Sequence, residues 1–141
     1  MHLLLAQKGT IAEGQEAVDL GQSPADIIVL SAADTEIAAL AQARREMGAG
    51  APGLRLANLL SLQHPLSVDT YIERTARRAK LIIVRILGGE GYWPYGLEAL
   101  HAMAVTHGVK LAVLPGDDKP DAGLDRFSTL PAQDREVLWR Y

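Results

Sequence analysis

The residues best suited to contact a ligand or another protein lie between positions 85 and 96, which read Arg-Ile-Leu-Gly-Gly-Glu-Gly-Tyr-Trp-Pro-Tyr-Gly. Glycines let a backbone turn sharply or approach a partner closely. Aromatic side chains offer a flat apolar surface with polar tips, and an arginine with a glutamate could orient a carboxylate or an amide. The predicted substrate or interface residues are therefore Arg85, Gly88, Gly89, Glu90, Tyr92, Trp93 and Tyr95.

Three interpretations of this stretch remain open from the sequence. In the structural one, Tyr92, Trp93 and Tyr95 cap a sheet while the glycines shape a tight turn between a strand and a helix. In the second, the exposed rings form a surface for another domain or protein. In the third, they line a site for a small planar ligand.

Other catalytic motifs are incomplete. Gly9 and Gly14 have the spacing of a phosphate-binding loop, but Gln15 and Glu16 stand where that loop needs Lys and Ser or Thr. The dinucleotide pattern Gly-x-Gly-x-x-Gly and the nucleophile elbow Gly-x-Ser-x-Gly are both absent from the sequence. No catalytic residue is assigned.

The metal-ligand inventory is also sparse. The sequence has no cysteine, and none of its four histidines pairs with another at the helical spacing that zinc sites use. Isolated polar or capping roles are therefore predicted for His2, His64, His101 and His107, and no metal site is predicted. A site formed only in space, with His64 as one ligand, is left open.

Composition limits the class of protein. The 141 residues are 48% hydrophobic and 22% charged, and 14 basic against 17 acidic residues give a net charge of −3. That balance argues against a nucleic-acid partner. No apolar run approaches the roughly 20 residues of a membrane-spanning helix, and no signal peptide is recognisable. We expect a cytoplasmic protein that binds neither nucleic acid nor membrane.

Apolar runs alternate with helical patterns along the chain. Strands are predicted at Leu3–Ala6, Ile27–Leu30, Leu54–Leu60, Leu81–Leu87 and Leu111–Leu114; the third run could also be helical. Continuous β-branched runs suit strands that are covered on both faces. The prediction is an α/β fold with a doubly wound, mostly parallel five-stranded sheet in flavodoxin-like order. Its core is expected to contain Ile28, Val29, Ile82, Ile83 and Val113.

Helices are predicted between these strands. They cover Ala12–Leu20, Ala33–Met47 with Met47 facing inward, Val68–Ala79 with Ser67 as the N-cap, Pro94–His107, and a last helix from about Pro131. Glu73 and Arg77 are four residues apart, in the order that favours an ion pair. The aromatic end of the chain, Trp139 to Tyr141, is unusual for a free terminus. Residues 1–141 are therefore expected to be one α/β domain cut from a longer chain.

Five stretches resemble the N-terminal region of the large subunit of aerobic cobaltochelatase. Together they span most of the chain: Met1–Ile11, Ser23–Asp26, Leu30–Glu36, Leu59–Asp69 and Ile86–Gly96. The family's subunit is many times longer, so the chain would be only its first small domain.

This resemblance implies a role in cobalamin biosynthesis. The large subunit is similar to the porphyrin-binding subunit of magnesium chelatase and holds cobalt and the corrin precursor hydrogenobyrinic acid a,c-diamide, while separate ATPase subunits drive insertion. It implies no cofactor in this domain, which would be non-catalytic and would dock on the rest of the subunit or cover the tetrapyrrole. The alternative, from another class, is a stand-alone small-ligand binding or regulatory domain of flavodoxin-like type.

The 141-residue chain alone is expected neither to hydrolyse ATP nor to insert cobalt. The physical reason is that Gln15 and Glu16 offer no grip for phosphate or magnesium. Turnover of either kind above a heat-killed control, measured on the purified chain, would contradict this prediction.

Overall fold

A parallel sheet of four strands organises the computed structural model, which describes residues 17–140. The strands are β1 (Ile27–Ser31), β2 (Leu54–Asn58), β3 (Leu81–Ile86) and β4 (Lys110–Pro115). All four coincide with predicted runs. The third run, for which a strand and a helix were both possible, begins as strand β2 and continues directly into a 3₁₀ turn over Leu59–Leu62.

The strands lie in the order β2-β1-β3-β4. Val29 of β1 stands opposite Leu56 of β2 on one side and Ile83 of β3 on the other, and Ile83 stands opposite Ala112 of β4. A mixed α/β architecture with a parallel sheet is thus confirmed. The five-stranded flavodoxin-like order is not confirmed: Leu3–Ala6 lies outside the described residues, and with it as first strand that order would put Ile27–Leu30 at an edge, not between two partners.

Five α-helices are present in the described part of the chain: α1 (Asp34–Met47), α2 (Pro65–Arg74), α3 (Pro94–His107), α4 (Ala122–Asp125) and α5 (Ala132–Arg140). Short 3₁₀ turns cover Leu59–Leu62, Ala76–Arg78 and Glu90–Tyr92. Helix α3 has the predicted bounds, from a proline in its first turn to Gly108 in the left-handed conformation at its end.

One face of the sheet is dry. Helices α2 and α3 cover it, as right-handed crossovers to β3 and β4 require. The residues that fill this core are almost wholly buried and come from alternate strand positions and the facing helices: Ile28, Leu30, Ile82, Val84, Ile86, Leu111, Val113, Val68, Tyr71, Leu97 and Leu100.

The opposite face is covered more thinly. Helix α1 has no buried residue, and α5 packs through Leu138 and Trp139 against β4. Ile83 points to this face and is only half-buried, so its predicted place in the core is wrong. Ile28, Val29, Ile82 and Val113 are buried as predicted.

Three helix details differ from the sequence prediction. Helix α2 begins earlier than predicted, because its N-cap is His64, whose Nδ1 accepts the amide of Leu66 at 3.0 Å. Ser67, the predicted N-cap, is buried, and its Oγ accepts the amide of Val18 at 2.7 Å. Met47 is exposed, as the last residue of α1, and does not face inward as predicted. Residues 17–20 of the predicted helix Ala12–Leu20 are not helical, and the rest of it lies outside the described residues.

Neighbouring isoleucines in β3 should differ in their contribution to stability. Ile82→Ala should lower the free energy of unfolding by about 2–5 kcal/mol, the range for a fully buried side chain. Ile83→Ala should cost clearly less, because Ile83 faces the thinly covered side. Denaturant unfolding of both variants, with the exposed Val105→Ala as control, measures the difference. Equal losses for Ile82→Ala and Ile83→Ala would show that the second face is as dry as the first.

Candidate functional site

The predicted site lies at the carboxyl edge of the sheet, where ligands and partners of open α/β sheets most often bind. Two connections meet there, because α2 and α3 pack side by side. The first connection joins β2 to α2 and includes the 3₁₀ turn at Leu59–Leu62. The second joins β3 to α3 and contains most of the predicted residues.

Two consecutive glycines turn the chain out of β3. Gly88 and Gly89 have φ values of +90° and +75°, in the region that side-chain-bearing residues avoid. The amide of Tyr92 then bonds back to the carbonyl of Gly89 at 3.2 Å, which closes the single 3₁₀ turn Glu90–Tyr92. The glycines therefore set the direction in which the aromatic side chains leave the sheet.

Trp93 points inward and is 4% exposed. Its indole Nε1 donates to the carbonyl of Leu62 at 2.8 Å, so it ties the β3–α3 connection to the β2–α2 connection. The structural interpretation is thus right for Trp93, and an exposed role for this ring is wrong. The reason is that the indole fills the gap between the two connections and finds its hydrogen-bond acceptor there.

Gly96 makes room for that indole. A Cβ placed on Gly96 would lie 2.0 Å from Cε2 of Trp93, far inside van der Waals contact. The glycine is buried in the first turn of α3, where a larger residue would otherwise suit the helix better. Its role is close packing and not ligand approach.

Five large apolar side chains on the two connections and in the first turns of α2 and α3 are exposed, and one of them is Leu87. We call the other four, Leu60, Leu66, Tyr92 and Tyr95, the aromatic face; their exposed fractions are 54%, 55%, 39% and 43%. The Tyr95 hydroxyl donates to Asp69 Oδ1 at 2.7 Å, and this bond is the main reason that the pKa of Tyr95 is raised. Sequence reasoning missed Leu60 and Leu66; the available signal was that Leu60 is out of phase with its buried neighbours Leu59 and Leu62.

Glu90 has a partner of its own. Its Oε1 lies 2.7 Å from Nη2 of Arg126, whose guanidinium also stands over the ring of Phe127 at 4.0 Å. The hydrogen bond to Glu90 is the largest cause of the raised pKa of Arg126. Exposed pairs of this kind contribute little to stability, so the contact orients Glu90 more than it stabilises the fold.

Arg85 faces the opposite side of the sheet from Trp93. Its Nη1 lies 3.1 Å from Oε2 of Glu36 in the first turn of α1, and the Ser31 hydroxyl donates to Oε1 of the same carboxylate at 2.6 Å. Arg85 and Glu90 thus each pair with another residue, Glu36 and Arg126 respectively, and their joint action on a ligand stays a prediction.

A small cavity borders the Arg85–Glu36 pair. It has a volume of about 230 Å³ and lies between the carboxyl ends of β1 and β3. We call it the switch cleft, because the strand order reverses at this point of the sheet. Its lining residues are Ser31, Ala32, Ala33, Thr35, Glu36, Arg85, Leu87 and Gly116. The β3–α3 connection thus contributes to two separate surfaces, the switch cleft through Leu87 and the aromatic face through Tyr92.

Two of the described histidines make hydrogen bonds to the backbone. His64 caps α2, and His101 Nδ1 lies 2.9 Å from the carbonyl of Phe127. Within residues 17–140 no group of three or more carboxylates or imidazoles is placed to hold a metal ion. In the same part of the chain no helix is long and apolar enough to cross a membrane. His2, and the loop with Gly9, Gly14, Gln15 and Glu16, lie outside the described residues.

Known proteins are similar to this chain in both sequence and fold. The chain is 66% identical over all 141 residues to the aerobic cobaltochelatase subunit CobN of a Sinorhizobium species, and 42% identical to CobN of Pseudomonas aeruginosa. Over its whole length it matches the amino-terminal part of that large subunit. The catalytic subunit of cobaltochelatase from Mycobacterium tuberculosis has the same fold over 78% of the chain, with a TM-score of 0.56 and 26% identity.

The match covers a small share of these relatives. The chain spans 11% of each CobN subunit and 8% of the mycobacterial catalytic subunit. No protein-family model matches the chain. The resemblance to the cobaltochelatase large subunit predicted from the sequence is confirmed, whereas the part that this segment plays in the subunit is a separate question.

Removing the inward indole should destabilise the fold. Trp93→Ala should lower the free energy of unfolding by about 3–5 kcal/mol, as expected for a large buried aromatic side chain, and Gly96→Ala should also destabilise, because its methyl group would clash with the indole. Thermal melts measure both. Tyr92→Ala is the matched control, since that ring is exposed; a Trp93→Ala melt as mild as that of Tyr92→Ala would contradict the buried position.

Proposed function

We propose that the chain is a non-catalytic domain of an aerobic cobaltochelatase large subunit, and that its aromatic face docks on the remainder of that subunit. The observation that carries the proposal is the match of the whole chain to only 11% of CobN at 66% identity. A domain that forms so small a part of a large subunit needs a surface for the rest, and the aromatic face holds four of the nine large apolar side chains that are exposed within residues 17–140.

The proposal for the whole protein follows the resemblance. The large subunit would bind cobalt and hydrogenobyrinic acid a,c-diamide as substrates, and separate ATPase subunits would supply the energy for insertion. The segment described above would contribute neither catalytic residues nor a resident metal. Its contribution would be to hold the subunit together next to the substrate.

The chemistry of the aromatic face suits docking. Tyrosine rings are among the residues that most often dominate the binding energy of interfaces, and here they are flanked by two exposed leucines. Because Tyr95 is tied to Asp69 and the buried Trp93 fixes the turn before it, the Tyr95 ring has little side-chain entropy left to lose on binding. This part of the face is therefore ordered before a partner arrives.

Charge favours a protein partner over direct contact with the corrin precursor. The Asp69 carboxylate accepts from Tyr95, and the exposed acids Asp117 and Asp118 follow β4 at the same edge, whereas the charge of Glu90 is offset by Arg126. A corrin acid carries carboxylates of its own, which these groups would repel. A protein surface with apolar and basic side chains would be complementary to this edge.

Amide hydrogen exchange tests the docking directly. Residues 60–66 and 90–96 should exchange measurably more slowly in the full-length large subunit than in the 141-residue chain, because the rest of the subunit covers them. The same exchange rates in both proteins would contradict docking. Extra protection that appears only when the corrin precursor is added would favour the substrate-covering role.

A variant pair links the face to activity. In the full-length subunit, Tyr92→Asp should remove the extra protection and slow ATP-dependent cobalt insertion, because a charge would be buried in the interface. Val105→Asp, also exposed but on the far part of α3, is the control and should change neither. Unfolding curves of the 141-residue chain with each substitution should be unchanged, which separates lost docking from lost folding.

The second candidate function is a small-ligand binding or regulatory domain. The observation that favours it is the switch cleft, a polar cavity at the point in the sheet where α/β proteins bind ligands. Undiminished cobalt insertion by a large subunit from which residues 1–141 have been deleted would favour this function over docking.

A further inference from the structure

We propose that the switch cleft binds a primary carboxamide group. The proposal does not depend on the docking of the aromatic face, because the cleft lies on the other side of the sheet. It follows from the position of the cleft, from the unused hydrogen-bonding capacity of Arg85, and from the charge of Glu36.

The cleft lies at the reversal of the sheet. From β1 the chain crosses one face through α1 to β2, and from β2 it crosses the other face through α2 to β3. The carboxyl ends of β1 and β3 are therefore left open toward solvent between diverging connections. A volume of about 230 Å³ is below that of most pockets for whole drug-sized ligands, so the cleft accepts one functional group of a ligand.

Arg85 has one edge of its guanidinium almost unused. Its Nη1 is occupied by Glu36, but Nε is buried without a hydrogen-bond partner, and Nη2 reaches the carbonyl of Gly116 only at 3.4 Å. An unpaired buried N–H costs free energy, and Nε with Nη2 forms the side-on edge that oxygen acceptors recognise. Nε itself is closed to solvent, so a ligand oxygen in the cleft would accept from the remaining N–H of Nη2.

The charge of Glu36 determines whether the cleft prefers a carboxylate oxygen or a carboxamide oxygen. Its carboxylate neutralises Arg85, and only 26% and 21% of the two side chains are exposed, so solvent screens the pair weakly. A carboxylate ligand would meet the negative charge of Glu36, while an ammonium group would offer no acceptor to Arg85. A carboxamide avoids both costs, since its oxygen accepts from Arg85 and its NH₂ group donates to the acceptors beside it, Glu36 and the Gly116 carbonyl.

Three probes of the same size separate these possibilities. The 141-residue chain would be titrated with propionamide, propionate and propylammonium while the Nε–H signal of Arg85 is followed by NMR. Propionamide should shift that signal in a saturable manner, and the other two should bind at least about tenfold more weakly, a difference of about 1.4 kcal/mol. Equal binding of the three probes, or no saturable shift with propionamide, would overturn the proposal.

A charge-removing variant gives the second, independent test. Glu36→Gln keeps the shape of the side chain and leaves Arg85 unneutralised, so the preference should reverse and propionate should bind more tightly than propionamide. Glu46→Gln, an exposed position on the same helix, is the control and should keep the original preference. An unchanged preference in Glu36→Gln would show that Glu36 does not set the selectivity and would overturn the proposed recognition.

Discussion

The need to keep one face of the parallel sheet dry governs the rest of the structure. The strand residues that point to this face, such as Ile28, Ile82 and Leu111, are fully buried. Helices α2 and α3 cover them, and Leu124 and Phe127 complete the same cluster. In a right-handed crossover between parallel strands, the helix runs back along the sheet antiparallel to the strands. Both helices therefore begin at the carboxyl edge. The two connections that carry the aromatic face are neighbours for this reason.

The other face is held by polar contacts where apolar burial is lacking. Helix α1 buries no residue, so hydrophobic packing alone fixes its position poorly. Its first turn is instead attached to the strand ends, through Glu36 to Arg85 at 3.1 Å and through Asp34 to Asn58 at 2.8 Å. These polar contacts hold the first turn of α1 against the strand ends without filling the space between the helix and the strands. The switch cleft is that space.

Local patterns were sufficient for most elements and insufficient for the site. Continuous apolar runs predicted β1, β3 and β4, and the Pro and Gly signals predicted both ends of α3, because these features depend on a few adjacent residues. The burial of Trp93, the contact of Ser67 with Val18 and the pairing of Arg85 with Glu36 depend on segments far apart in the chain. No periodicity records such contacts. The half-buried state of Ile83 likewise depends on how far α1 and α5 extend over the sheet.

The stretch Tyr-Trp-Pro-Tyr shows how one short sequence can serve two purposes. Pro94 starts α3 at once, so Trp93 is the last residue before the helix and its carbonyl accepts the amide of Leu97 at 3.1 Å. That position directs the indole beneath the helix, against Gly96, whereas Tyr95 on the helix itself turns outward to Asp69. Stability therefore depends on the ring that no partner can reach. Of the rings that a partner can reach, Tyr95 is held by its bond to Asp69, and so a change at the exposed tyrosines can alter recognition without disturbing the core.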